Sequence, residues 1–562
     1  MLELLALGLA AVAVIVVLQI LADRTGLPAA ALLTVAGLIY GVLPGPNLTL
    51  NPDLILTLVI PPLIYSAALN SSLLAIRTNL RAVISLSIGL VLATALITGA
   101  GIDLLVPGAG LAAGVVLGAA VSPTDPVAAL AVGVRAGLPA RLITIIEGEG
   151  LLNDATALTT LTVAVTAATS GGFSLGDAVL RFLLAAAGGL LAGAAVAFAV
   201  RLLRSAVRDP LLVNSISLAT PFAAYLLGEE LHVSGVLAVA VAGLMIGHDT
   251  PRFTTGASRL QASAVWHLAD FLLQGFVFLL IGEQILPVVR GLKAYPATTI
   301  VTAVLFTLGV VLLLRPLWLV LTESLPRALR TRLGGTAPRG GRRLTGREIV
   351  VLSWAGTRGV ISLAAIFAVP LVTPGGNPFP ARDLLLFCTF VVVVVTLVGQ
   401  GVTFAPIVRA LGMRADPADA VSLRNEARAA SVRAGLACLN QIAAGQADPE
   451  LAGPDLPEQE LAGLRATLER RLRRYQGPGP PDSAAPDSAV PDSAAPEDAG
   501  DLAAPGSPGH EAALEARRAI IDAQREELLR WRDAGRLPDA SLRILERELD
   551  HEERIFPAPG GH

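Results

Sequence analysis

Ser122-Pro123-Thr124-Asp125-Pro126 interrupts one long apolar run, and Glu147-Gly148-Glu149-Gly150-Leu151-Leu152-Asn153-Asp154 opens the next. Pro123 and Pro126 each lack an amide hydrogen and disfavour helical backbone at Ser122 and Asp125, so the chain must unwind there for about one turn. In a bilayer such a break is tolerated only where the freed backbone groups are buried in protein or line an aqueous cavity. A charged group inside an apolar span costs roughly 2.5 to 3.5 kcal/mol on insertion scales, so such groups mark ion or proton paths. The freed carbonyls and the Thr124 hydroxyl are hard oxygen ligands suited to a small alkali cation, and Asp125 offsets the positive end of the following half-helix. On the second run Glu147, Gly150 and Asp154 share one helix face, whereas Glu149 and Asn153 stack one turn apart on another. Gly148 and Gly150 leave that surface bare for close approach of a second backbone. Glu147, nearest the start of the run, is equally readable as a helix cap.

Composition sets the class. Of 562 residues, 53% are hydrophobic and 15% charged, with a mean hydropathy of +0.66, against about 25% charged in an average soluble domain. This is an all-α, polytopic membrane protein. The net charge of -3, with basic residues in short clusters between apolar runs, gives no nucleic-acid signature. Cys388 and Cys438 offer neither metal spacing nor a disulfide, and no cofactor is expected. The first run, from Leu2, lacks a basic leader and a small-residue cleavage site and reads as a retained span.

Apolar runs occupy 3–21, 28–43, 54–69, 82–106, 110–133, 140–168, 178–203, 210–228, 233–247, 263–282, 298–322, 347–370 and 383–410, which predicts about thirteen transmembrane helices. Arginine falls in every second connection: Arg24; Arg77 and Arg81; Arg135 and Arg141; Arg201, Arg204 and Arg208; Arg252 and Arg259; and the cluster from Arg327 to Arg347, with Arg290, Lys293 and Arg382 as the few exceptions. Cytoplasmic loops carry the positive excess, so the N-terminus is expected outside and the C-terminus in the cytoplasm. The membrane domain is expected at 1–412. A helical cytoplasmic tail follows at 413–562, with helices at 418–444, 458–475, 511–533 and 538–555. Between its halves the repeat Pro481-Asp482-Ser483-Ala484-Ala485 marks a disordered linker at about 477–509.

The twelfth run repeats the oddity of the fifth. Trp354-Ala355-Gly356-Thr357-Arg358-Gly359 sets an arginine between glycines in mid-span, costly unless it faces an acid or the negative end of a half-helix. Spans five and twelve lie an odd number apart and cross in opposite senses, as inverted repeats with paired interrupted helices do around a transporter's substrate site. Glu149 is the expected ion-pair partner of Arg358. His267 and Asp270 have the spacing of a local pair, and Arg315 reads as an interface residue near the end of its span.

Ser122 to Ala128, Glu147 to Asp154, Thr220-Pro221-Phe222-Ala223-Ala224-Tyr225, Ser234-Gly235-Val236-Leu237-Ala238-Val239 and Trp354 to Ser362 together resemble the monovalent cation:proton antiporter family, in family order. That family includes bacterial sodium/proton antiporters and animal sodium/proton exchangers. The resemblance implies crossed discontinuous helices, a homodimer in the cell membrane, and Asp154 as the carboxylate that holds either the cation or a proton. It implies Thr124 and Asp125 at the sodium site, a structural Glu149–Arg358 pair, and Asn153 where electrogenic relatives carry a second aspartate, hence electroneutral exchange. Two departures stand out. Ser66 follows Pro61-Pro62-Leu63-Ile64-Tyr65 where many relatives have an ion-binding acid, and Gly150 stands where many have serine. Ser66 remains a candidate oxygen donor. Sodium is the expected cation and potassium the alternative. A gated cation channel is the rival from another class, and an enzyme is not expected. An intramembrane aspartyl protease lacks its paired aspartates here, and Arg358 opposes a shared-proton dyad.

Overall fold

The computed structural model describes residues 2–43, 55–126, 129–130, 133, 137–170, 175–207, 209–283, 288–289, 291–324, 344–373, 376–413, 417–444, 457–476 and 508–554. The expected linker, except its last two residues, lies outside them, as do the cluster from Arg327 to Arg343, Arg135, Arg208 and the loop from Pro44 to Asp53. Among the described residues the regular structure is helical, apart from one isolated antiparallel bridge between Val372 and Pro378.

Among the described residues eight helices are long and apolar enough to cross a membrane: Leu5–Thr25, Leu80–Leu105, Ala140–Thr169, Val179–Ser205, Pro210–Glu230, Gly256–Leu280, Ala297–Thr322 and Arg382–Ala410. Ala29–Val42, Thr57–Leu69 and Gly110–Val121 are shorter apolar helices. The run expected at 110–133 is broken after Val121, and the run at 347–370 is split into Gly346–Trp354 and Val360–Phe367. Sequence dictates both the start and the stop of that first half. Thr345 and Glu348 form a capping box, with Thr345 Oγ1 accepting from the Glu348 amide at 3.3 Å and Glu348 Oε2 accepting from the Thr345 amide at 2.6 Å.

The chain forms two compact units. The first comprises 1–253 and 262–415, the second 254–261 and 416–562. In the first, small residues let backbones meet: a Cβ added at Gly114 would stand 2.5 Å from the Gly99 carbonyl oxygen, so helices Val91–Leu105 and Gly110–Val121 touch along glycine. Among the described residues π-helical turns occur at Ile55–Val59, Ser85–Leu90 and Val395–Gln400. The first directly precedes Pro61 and Pro62, whose missing amides leave carbonyls one turn earlier without α-helical donors and so favour the wider turn.

The second unit packs helices Pro417–Ala443, Pro508–Asp533 and Asp539–Arg554 around Ala427, Ile521, Leu528, Leu545 and Leu549, while helix Glu458–Gln476 packs through Leu468 on Val432, Leu439 and Ile520. Residues 254–261, which open helix Gly256–Glu283, belong to it as well. Their anchor is ionic. Arg259 Nε donates to Asp550 Oδ2 at 3.0 Å, and Arg525 Nη2 reaches Asp550 at 3.1 Å and Glu553 at 2.8 Å.

Candidate functional site

The two interrupted helices meet at their breaks. The Asp125 amide donates to the Thr357 carbonyl at 2.7 Å, and the Thr357 hydroxyl donates to the Asp125 carbonyl at 2.8 Å. Groups freed by the two interruptions are therefore satisfied by each other, as a low-dielectric interior requires. Gly359 makes the approach possible, because a Cβ there would lie 2.0 Å from Asp125 Oδ2.

Charge at the crossing follows the helix dipoles. Asp125 lies beside Gly359 and Pro126, at the positive starts of the resumed half-helices. Arg358, 2% exposed, donates from Nε to the Val121 carbonyl at 2.7 Å and from Nη1 to the Gly356 carbonyl. Val121 ends helix Gly110–Val121 and Gly356 lies two residues past the end of helix Gly346–Trp354, so the guanidinium sits at two negative helix termini. The Arg358 amide is held by Thr396 Oγ1 at 3.0 Å, inside the π-turn Val395–Gln400.

Helix Ala140–Ser170 supplies the acids. Gly150 admits Pro126, whose Cγ would stand 2.6 Å from an added Cβ. One turn of this helix clasps Thr124: its hydroxyl donates to Glu149 Oε1 at 2.9 Å, while Asn153 Nδ2 donates to Thr124 Oγ1 at 2.8 Å and to its carbonyl at 3.2 Å. The expected stacking of Glu149 and Asn153 thus has a purpose. These bonds fix the Asn153 amide orientation and leave Oδ1 buried without a hydrogen-bond partner. Asp154 is 7% exposed and feels the Asp125 charge. Among the described residues its carboxylate has no ion-pair or hydrogen-bond partner.

Three expectations are corrected. The ion-pair partner of Glu149 is Arg315, not Arg358: Arg315 Nη1 and Nη2 take both carboxylate oxygens, the second at 2.8 Å, and Nε donates to the Leu352 carbonyl at 2.8 Å. The partners Arg358 takes instead are the helix-end carbonyls, which the unwound turn leaves open. Arg315 is 2% exposed and no interface residue. Its signal was present in the sequence, since apolar residues flank it on both sides as they do Asp125. Glu147 lies two turns inside a helix that begins at Ala140, so it is not the N-cap of that helix. Asp270 takes its hydrogen bond from Ser66 Oγ, at 2.5 Å. The structure thus brings Thr124, Asp125, Glu149, Asn153, Asp154 and Arg358 together around the crossing, whereas Ser66 sits in a separate polar pair.

Crossed broken helices of this kind define an ion-transporter fold, and the comparisons agree. Residues 10–410 match the family model described as sodium/hydrogen exchanger, transmembrane. The chain is 34% identical over 551 residues to an uncharacterized Na(+)/H(+) exchanger of Mycobacterium tuberculosis, covering 97% of this chain and 94% of that one. It is 32% identical over 365 residues to a sodium, potassium, lithium and rubidium/H(+) antiporter of Bacillus subtilis, covering 63% and 53%. The fold resembles the sodium proton antiporter MjNhaP1 of Methanocaldococcus jannaschii with a TM-score of 0.57 and 18% identity, over 73% of this chain and 99% of that one. The chain belongs to the sodium/hydrogen exchanger family, a family of membrane transporters.

Proposed function

We propose that the protein is a secondary antiporter that exchanges a monovalent cation, sodium foremost, for a proton at Asp154. The observation that carries this reading is a buried carboxylate with no basic partner, beside a helix crossing where Asp125 and the unpaired Asn153 Oδ1 offer further oxygens. A buried carboxylate without a counter-ion must bind one, and a proton and an alkali cation are competing solutions to the same deficit. A bound proton excludes the ion and a bound ion excludes the proton. Glu149 takes no part in this exchange, because Arg315 neutralises it.

With Asn153 neutral, one proton is replaced by one monovalent cation and no net charge moves, so exchange is electroneutral. Thr124 contributes its hydroxyl oxygen while Glu149 and Asn153 hold it in place. Potassium is the second candidate, favoured by the range of cations in the name of the Bacillus subtilis relative. The arginine distribution supports a cell-membrane protein with the N-terminus outside and the C-terminus in the cytoplasm. Functioning as a homodimer embedded in lipid is part of the same reading.

The deciding experiment follows proton efflux from acid-loaded inside-out vesicles on adding sodium, lithium or potassium, for the wild type and Asp154→Asn. Sodium-driven efflux that is lost in Asp154→Asn and indifferent to collapse of the membrane potential is expected. Full activity in Asp154→Asn would sink the assignment, and a response to potassium alone would change the cation.

A further inference from the structure

We propose that Asp270 and Ser66 form a second cation-binding position, which holds a monovalent cation on its way to Asp154 and sets the cation concentration at which exchange half-saturates. The proposal rests on the antiport reading above and adds a residue to it.

Asp270 lies in helix Gly256–Glu283, within a span apolar enough to cross a membrane. Glu149, a fully buried acid, has an arginine across both oxygens. Asp270 has a neutral partner instead: Ser66 Oγ donates to Oδ2 at 2.5 Å, and Oδ1 is buried with no hydrogen-bond partner. A hydroxyl satisfies one lone pair but carries no charge, and the basic group within electrostatic reach of the carboxylate is His267. Such a carboxylate in a span must be neutralised by something that comes and goes. His267, one turn earlier, is exposed.

The geometry is held from both sides. Ser66 is fully buried on helix Ile60–Leu69, and Asn70 Nδ2 donates to its carbonyl at 3.0 Å. One residue before Ser66, the Tyr65 ring packs at 5.2 Å against Trp266, which precedes Asp270 by one helical turn. Trp266 Nε1 is itself fixed on Ser217 Oγ at 3.2 Å. Two adjacent residues of one helix thus meet two residues one turn apart on the other, so the carboxylate is aimed rather than loose. Helix Ile60–Leu69 packs in turn on helix Ala140–Ser170, which carries Asp154. The unpaired Asp270 Oδ1 and the lone pairs of Ser66 Oγ are hard oxygens of the type an alkali cation takes when it sheds water.

The test compares sodium-driven proton efflux in vesicles across a sodium titration for the wild type, Asp270→Asn, and the exchange Ser66→Asp with Asp270→Ser. Asparagine keeps the shape and the acceptor for Ser66 while removing the charge. The half-saturating sodium concentration is expected to rise about tenfold or more in Asp270→Asn, with a much smaller change in rate at saturation. The exchanged pair, which moves the carboxylate across the same hydrogen bond, is expected to restore it. An unchanged half-saturating concentration in Asp270→Asn, or a loss confined to the saturated rate, overturns the proposal. Should Asp270→Asn fail to reach the membrane, the exchanged pair decides alone: near-wild-type affinity supports the site and tenfold weaker affinity rejects it. Asp154→Asn, run alongside, separates the two readings. If it stays active while Asp270→Asn shifts saturation, the role of Asp154 falls and the second site stands.

Discussion

Asp125 and Thr357 exchange two hydrogen bonds, amide to carbonyl at 2.7 Å and hydroxyl to carbonyl at 2.8 Å, and so tie one broken helix to the other. Only the second needs a particular side chain. Thr357→Val removes that donor and leaves the Asp125 carbonyl with one partner fewer, a loss of about 1 kcal/mol in stability. The change is expected to slow exchange as well, because the Asp125 carboxylate is positioned by that backbone. Thr357→Ser keeps the donor and should behave like the wild type in both thermal unfolding and vesicle transport.

Gly359 is the tighter constraint at the same crossing. Any Cβ there would come within 2.0 Å of Asp125 Oδ2, so the carboxylate or a backbone must move. Gly359→Ala is expected to abolish exchange while the protein still inserts, as judged by membrane yield and gel filtration. Near-normal transport in this variant would mean that the Asp125 carboxylate does not need its present place.

The Glu149–Arg315 pair is buried on both sides, at 2% each. Removing one partner of such a pair costs about 3 to 5 kcal/mol, because the other charge is left uncompensated, whereas replacing both by apolar residues costs far less. Arg315→Met should therefore lower the unfolding temperature in detergent sharply, and adding Glu149→Met should recover most of the loss. Recovery is incomplete because Glu149 also accepts from Thr124.

Sequence patterns made the helices legible, and also the two breaks, because Pro123, Pro126 and the Gly356–Gly359 pair act locally on the backbone. The clasp of Glu149 and Asn153 on Thr124 was half legible: helical spacing put the two acid-run residues on one face but could not say what they face. Partner choice was not legible. Glu149 has two buried arginines near it, and which one pairs depends on where helix Ala297–Ser324 packs, a fact with no local signature. The bond from Ser66 to Asp270 was hidden for the same reason, since it joins residues 204 apart in sequence.

On the proposed antiport at Asp154, Asn153 sets how much charge a cycle carries. Its amide gives Thr124 two hydrogen bonds and no charge. Asn153→Asp adds a second acid beside Asp154, so one cation can displace two protons and each cycle moves a net charge. The membrane potential then acts on exchange with roughly 2.3 kcal/mol per charge per 100 mV. Expected is transport in proteoliposomes that responds to a potassium–valinomycin potential in Asn153→Asp and not in the wild type. Equal insensitivity in both would refute the charge count.

The second unit carries its own pH dependence, centred on Glu546 in helix Asp539–Arg554. Burial pushes its carboxyl up from the usual range to about 7, with Asp550 adding to the rise and Arg259, Arg525 and Arg532 opposing it. Its Oε1 has no hydrogen-bond partner. The folded unit therefore holds a proton that the unfolded chain releases above its ordinary value. Stability is then highest below the unfolded pKa of about 4.3 and declines as pH rises towards the folded value, by about 4 kcal/mol at most. Above that the curve is flat for this group. Hydrogen exchange of amides in 511–553, normalised to the intrinsic rate at each pH, should show protection falling between pH 5 and about 7 in the wild type. Glu546→Gln stays neutral across that window and should flatten most of the fall. A wild-type profile already flat over that range would place Glu546 in contact with water.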